Sequence, residues 1–192
     1  MRSFFVIFFS LTLSVGAQEL GDLDYVFTSL KKAAQHPEVV YHLDLSKHKL
    51  VDFPENMAEF TKLKKLDLSK NKISLLPASV GELKSLEELN LSKNKIYKLP
   101  PQLKNLKHLK ILLLARNEVE EIPAEIGEME SLETIDLWSN NVKKIDSNIQ
   151  KLSSLKLLDV RGMLLSDKVK KELMEWLPET TIHFSGGCDC GF

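Results

Sequence analysis

The chain has 192 residues, 43% hydrophobic and 28% charged, which is enough for one domain with a real core and ordinary for a soluble protein. Its 26 Lys and Arg nearly balance its 27 Asp and Glu, for a net charge of -1. That balance argues against a dedicated binder of nucleic acid or of acidic membranes, either of which needs a basic excess.

The first predicted element is an export signal. "MRSFFVIFFSLTLSVGAQE" opens with Arg2 and continues with an apolar run from Phe4 to Val15. The run is shorter than the roughly 20 residues a membrane-spanning helix needs. Small residues at Val15-Gly16-Ala17 place signal-peptidase cleavage after Ala17, so residues 1–17 are read as a signal peptide. No Cys follows the run, so lipid attachment there is not expected. Without a second apolar span, the mature chain is expected to be exported, soluble and free of membrane insertion.

Residues 18–39 are predicted to form an N-terminal cap. Thr28 caps a short helix, Leu30, Ala33 and Ala34 give it an apolar face, and Pro37 stops it. Residues 40–165 then repeat at a constant period of 23. Leu43, Leu66, Leu89, Leu112, Ile135 and Leu158 align, and two residues on stand Leu45, Leu68, Leu91, Leu114, Leu137 and Val160. Five residues after the first set stand His48, Asn71, Asn94, Asn117, Asn140 and Met163. Alternate apolar residues around each "LxL" predict a short strand with one face inward, and stacked turns pair such strands into a parallel sheet. Asn71, Asn94, Asn117 and Asn140 are predicted to form a ladder that satisfies backbone groups at the bend leaving each strand. His48 and Met163 interrupt it at the two ends.

The outer arc repeats as well. Pro54, Pro77, Pro100 and Pro123 are each followed three residues later by an apolar side chain, and again three after that. This spacing suits a turn of helix or 3-10 structure on the convex side. Asp146 replaces the proline in the fifth turn, where the chain is expected to run differently. Residues 166–184 are read as a C-terminal cap. In "SDKVKKELMEWLP" Ser166 caps a helix that buries Val169, Leu173, Trp176 and Leu177, and "TIHF" at 181 to 184 forms a degenerate seventh turn one residue late. Residues 185–192 are read as a flexible tail.

The frame is identified with the leucine-rich repeat family in its 23-residue form, on "LDLSKNKISLLPASVGELKSL" and its copies. The approach "SLKKAAQHPEVVYHLDLS" and the exit "LMEWLPETTIHF" resemble those of small secreted bacterial members. The resemblance implies an α/β solenoid, with a parallel sheet on the concave face and short helical turns on the convex face. It also implies protein recognition by the concave sheet, with no catalytic activity and no cofactor.

Three files of outward residues cross that sheet. The first runs His42, Lys65, Glu88, Ile111, Thr134, Leu157, and the second Asp44, Asp67, Asn90, Leu113, Asp136, Asp159. The third runs Ser46, Ser69, Ser92, Ala115, Trp138, Arg161. The first three turns present a polar floor. Ile111, Leu113, Ala115, Trp138 and Leu157 then make an apolar patch bounded by Asp136, Asp159 and Arg161. An exposed apolar patch with a central aromatic and an Arg is the usual anchor of a protein interface, so these eight residues are the candidate partner-binding site.

The charges read as structural. Lys64, Glu87, Lys110, Glu133 and Lys156 are 23 residues apart and predict an alternating ladder across the turns. The two cysteines, Cys188 and Cys190, stand in the tail, where a local disulfide is possible in an exported protein. Two thiols are too few for a closed zinc site, and no metal site is expected. The competing readings are a thiol or metal protein that uses this Cys pair and a purely structural surface protein. A monomer that binds a protein and no nucleic acid is expected.

Overall fold

A computed structural model describes residues 24–185. The signal peptide, Cys188 and Cys190 lie outside the described residues. Eight strands form one parallel sheet: β1 (Val26–Phe27), β2 (His42–Asp44), β3 (Lys65–Asp67), β4 (Glu88–Asn90), β5 (Ile111–Leu113), β7 (Thr134–Asp136), β9 (Leu157–Asp159) and β10 (Thr181–His183). Two further strands, β6 (Glu121–Ile122) and β8 (Lys144–Ile145), pair separately. From β2 to β9 the register advances by one repeat, so Lys65 lies opposite Glu88, and Ile111 opposite Thr134. Thr181 lies opposite Leu157, so the last turn carries one extra residue, as the late "TIHF" predicts. The molecule is an α/β solenoid in which each turn covers the next.

The core lies between the sheet and the convex arc. Leu43, Leu66, Leu89, Leu112, Ile135 and Leu158 are buried from the strand side. From the arc, Met57, Val80, Leu103, Ile126 and Ile149 meet them, with Phe60, Leu83, Leu106, Met129 and Leu152. The arc is 3-10 helix, at Met57–Glu59, Ala78–Glu82, Pro101–Asn105, Ala124–Glu128 and Ser147–Lys151. The two apolar anchors of each turn are three residues apart, and a 3-10 helix aligns positions i and i+3 on one side. Neighbouring arcs nearly touch. A Cβ on Gly127 would lie 2.1 Å from the Asn148 carbonyl oxygen, and one on Gly81 2.4 Å from that of Gln102, so both places require glycine.

Two local expectations are corrected. Ser29, not Thr28, caps the first helix, α1 (Leu30–Ala33), and its hydroxyl accepts from the Lys32 N–H. The chain at Asp146 does not run differently. Its φ of -72° resembles the -74° of Pro123, and its carboxylate caps the arc by accepting from the Asn148 N–H at 2.9 Å. A side-chain cap there takes over what the proline ring does by fixing φ.

The ends are covered as a solenoid requires. At the front, Phe27 and Ala33 are buried. His48 stands in the Asn position of the first turn, with its ring nitrogens 2.8 Å from the Ser46 carbonyl oxygen and 3.1 Å from that of Thr28, which ties the cap to the sheet. At the back, α2 (Asp167–Trp176) starts at the Ser166 cap, buries Leu173, and sets Val169 and Trp176 half-buried against the core.

Candidate protein-binding face

The Asn side chains hold the strand exits in place. Asn117 Nδ2 donates to the carbonyls of Leu91 and Leu114, both at 2.9 Å, and its Oδ1 accepts from the Ile96 N–H at 3.0 Å. Asn71, Asn94 and Asn140 repeat this pattern one turn apart. Each amide therefore joins its own turn to the one before it. The concave face inherits a fixed spacing from it.

A second device lies on the concave face itself. Asp44, Asp67, Asn90, Asp136 and Asp159 each turn one side-chain oxygen back to accept the N–H two residues on, at 2.7 to 3.1 Å. Leu113 occupies the same position in β5 and offers no such acceptor to the Ala115 N–H. Sequence reading identified Leu113 as apolar but not the cap it forgoes.

Ile111, Leu113, Asp136 and Leu157 are half-buried on this face, and Trp138 is 37% exposed. Ala115 and Asp159 are only 7% and 6% exposed, so they offer a partner little surface, contrary to a simple outward reading of their files. The Arg161 guanidinium clasps Asp159 from both Nε and Nη2, the latter at 2.6 Å. Burial by itself would raise the Asp159 pKa, but the bonds from Arg161 and the nearby His183 leave it lower than usual. His183 Nδ1 stands 3.9 Å away. Asp136 goes the other way. Burial pushes its carboxyl up, and neighbouring Asp159 adds to the rise, against the Trp138 N–H that holds it down. The charge of Arg161 also holds it down, without outweighing burial.

Arg116 is a residue the sequence analysis missed. Its guanidinium carbon lies 4.4 Å from the centre of the Trp138 ring, a cation–π contact that holds the indole against the neighbouring turn. Its place one turn before Ser139 was readable, but the stacking was not. On the polar front half, a groove of about 230 Å³ is lined by His42, Asp44, Lys65, Asp67, Glu88 and Asn90. Its last strand, β4, adjoins β5 and the apolar patch. Among the described residues no group of three or more His, Cys, Asp or Glu could hold a metal ion.

The family model for the leucine-rich repeat region matches residues 38–181. The chain belongs to the leucine-rich repeat family. This leucine-rich repeat protein is similar to a leucine-rich repeat protein of Leptospira interrogans, at 28% identity and a TM-score of 0.66 over 83% of this chain and 48% of the other. It also matches a plant peptide hormone receptor solved in complex with its hormone, at 26% identity and a TM-score of 0.57, over 70% of this chain and 22% of the receptor. Internalin C2 of Listeria monocytogenes shares the fold at 22% identity, with a TM-score of 0.65 over 82% and 66% of the two chains. The leucine-rich repeat chain thus spans about half the Leptospira protein's length and less of the receptor's. No curated protein matches it. The repeat is a scaffold for binding rather than an enzyme fold.

Proposed function

We propose that this leucine-rich repeat protein is exported and recognises a partner protein through the back half of its concave sheet. The observation that carries the reading is Leu113. Every other turn from β2 to β9 places a capping Asp or Asn there, so the leucine forgoes a hydrogen bond worth about 1 kcal/mol and leaves an apolar side chain facing outward. Ile111 shares its strand, the Trp138 ring held by Arg116 belongs to the next turn, and Leu157 lies one strand further on, beyond Thr134. Asp136 carries a half-buried carboxylate against this surface. A segment that presents an apolar side chain next to a Lys or Arg fits both features. The plant receptor of like fold was solved with a bound peptide hormone, which supports the reading by analogy.

The test is capture from the extracytoplasmic fraction of the native cell, comparing wild type with Leu113→Asn and Trp138→Ser. Both variants place in these turns a residue type that other turns already carry, as at Asn90 and Ser69. Both should fold and lose the partner, with affinity down by about 2 kcal/mol or more. Undiminished capture by both variants would remove the site. A chain ending at Ser185 is expected to bind as well as wild type, whereas a thiol-based protein would lose its activity. Intact mass of the exported protein is expected to begin at Gln18.

A further inference from the structure

We propose a second binding site, on the flank where the strands leave the sheet, that takes a linear sulfated polysaccharide. It adjoins the concave face at Arg116, which ends one basic row and stacks on Trp138, but stands without the reading given for that face.

Lys47, Lys70, Lys93 and Arg116 occupy one position in four consecutive turns, and all are exposed. Two residues on, Lys49, Lys72 and Lys95 form a parallel row, also exposed. The first carboxylate in either row is Glu118. The backbone fixes both rows. The N–H of each first-row residue bonds to the next turn: Lys47 to the Ser69 carbonyl at 3.0 Å, Lys70 to Ser92 at 2.8 Å, and Lys93 to Ala115 at 2.7 Å. In the second row the Lys72 and Lys95 N–H groups bond back to the Leu50 and Ile73 carbonyls at 2.7 and 2.9 Å. The backbone positions of neighbouring members of a row are therefore set one strand spacing apart, about 4.8 Å.

Two contrasts separate this ridge from ordinary surface lysines. The lysines at the other ends of the strands are ion-paired: Lys64 and Lys110 share Glu87, and Lys156 pairs with Glu133. No carboxylate among the described residues pairs with Lys47, Lys49, Lys70, Lys72, Lys93 or Lys95. The backbone is also unusual. Lys47, Lys70, Lys93, Arg116 and Ser139, at one position in successive turns, and Lys49 have φ between 56° and 61°, in the left-handed region, and the same position in the last turn is Gly162. Glycine adopts that conformation without steric cost, so long basic side chains stand there at some expense of stability.

The rows present cations at every position, so the ligand carries anions along its length. An extended acidic peptide shows carboxylates to one side only about every 6.7 Å, a sparser line of charge than a double row whose backbone positions repeat about every 4.8 Å. A sulfated polysaccharide carries several fixed anions per disaccharide and meets a dense double row with counterion release along its length.

The probe is heparin, measured by affinity at about 0.15 M salt and over a salt series. Wild type should bind, and Lys70→Gln/Lys72→Gln/Lys93→Gln/Lys95→Gln should weaken it on the order of 10- to 100-fold and flatten the salt dependence. Lys104→Gln/Lys107→Gln/Lys168→Gln/Lys171→Gln removes the same net charge from the arc and α2, and should change affinity by about twofold or less. An equal loss in both quadruple variants would show a response to net charge alone and overturn the site. So would absence of wild-type binding. Polyglutamate competing as well as heparin would make the ridge an acidic-peptide site and overturn the assignment to sulfated glycan. The variant leaves Arg116 and Trp138 intact, so its result is independent of partner capture.

Discussion

Asn117 shows how much a single side chain carries in a stacked fold. All three of its hydrogen bonds go to backbone groups in a water-poor interior, and they tie two adjacent turns together. Asn117→Ala leaves these groups unpaired, and a thermal or denaturant melt should show a loss of about 1–3 kcal/mol. Leu113 has the opposite character. Leu113→Asn supplies the missing acceptor to the Ala115 N–H and removes an exposed leucine, so it should melt no lower than wild type. A strongly lowered melt would show that the leucine serves the core. Asp136→Asn keeps the oxygen that caps Trp138 and removes a carboxylate that burial disfavours. The carboxyl pKa is raised in the fold, so its charge weakens the fold above that pKa and stops doing so on acidification. At neutral pH the variant should therefore be at least as stable as wild type, while it binds the partner less well.

At the scale of elements, the convex arcs are the most tightly constrained. Their 3-10 turns, three residues long in the first and five in the other four, each set two apolar anchors into the core and stack with almost no gap at Gly81 and Gly127. Gly127→Ala directs a methyl group at the Asn148 backbone, which cannot swing aside as a side chain would. Adjacent arcs must separate, and denaturant unfolding should show a loss of about 1–3 kcal/mol or more. An unchanged midpoint would mean that the arcs are looser than their packing indicates. The caps follow the same logic at the solenoid ends, where a turn without a neighbour meets α1 or α2 instead. His48 in place of Asn, tied to Thr28, belongs to this junction.

At the scale of the whole molecule, charge is sorted by flank. One side carries the Lys–Glu ladder, and the other the unpaired basic rows. Glu87 sits between Lys110 at 2.9 Å and Lys64 at 3.0 Å. The bond from Lys110, then that from Lys64, holds its pKa down to about 2 from 4.5. A carboxyl lowered in the fold contributes stability that is complete above the unfolded pKa and is lost as the pH falls toward the folded one. Wild type should exceed Glu87→Gln in melting temperature at about pH 5, and the gap should close toward about pH 2. The ladder is solvated, so the gap corresponds to no more than about 1 kcal/mol. A gap that persists at the acid end would assign the effect to packing.

The 23-residue period was legible because it is a local property. Leu43 to Val160 fall into register by counting, and burial of one leucine set against its copies leaves a stacked parallel sheet as the fold that uses all of them. The cap at Ser166 and the Asn positions were readable for the same reason, since the partners lie within one turn or a fixed number of residues away. Other features depend on how turns meet. Whether Thr28 or Ser29 caps α1, whether Asp146 can replace a proline, and how buried Asp159 becomes beside Arg161 all depend on packing that no spacing expresses. The stacking of Arg116 on Trp138 joins residues one turn apart, through side-chain directions that only the folded backbone sets. The basic flank was hidden by the even charge balance of the chain. Counting charges averages over all faces, whereas the solenoid sends residues five or seven positions apart to different sides and copies 23 apart to the same side. Sequence therefore determined the repeat and its core, and tertiary structure decided which side chains share a surface.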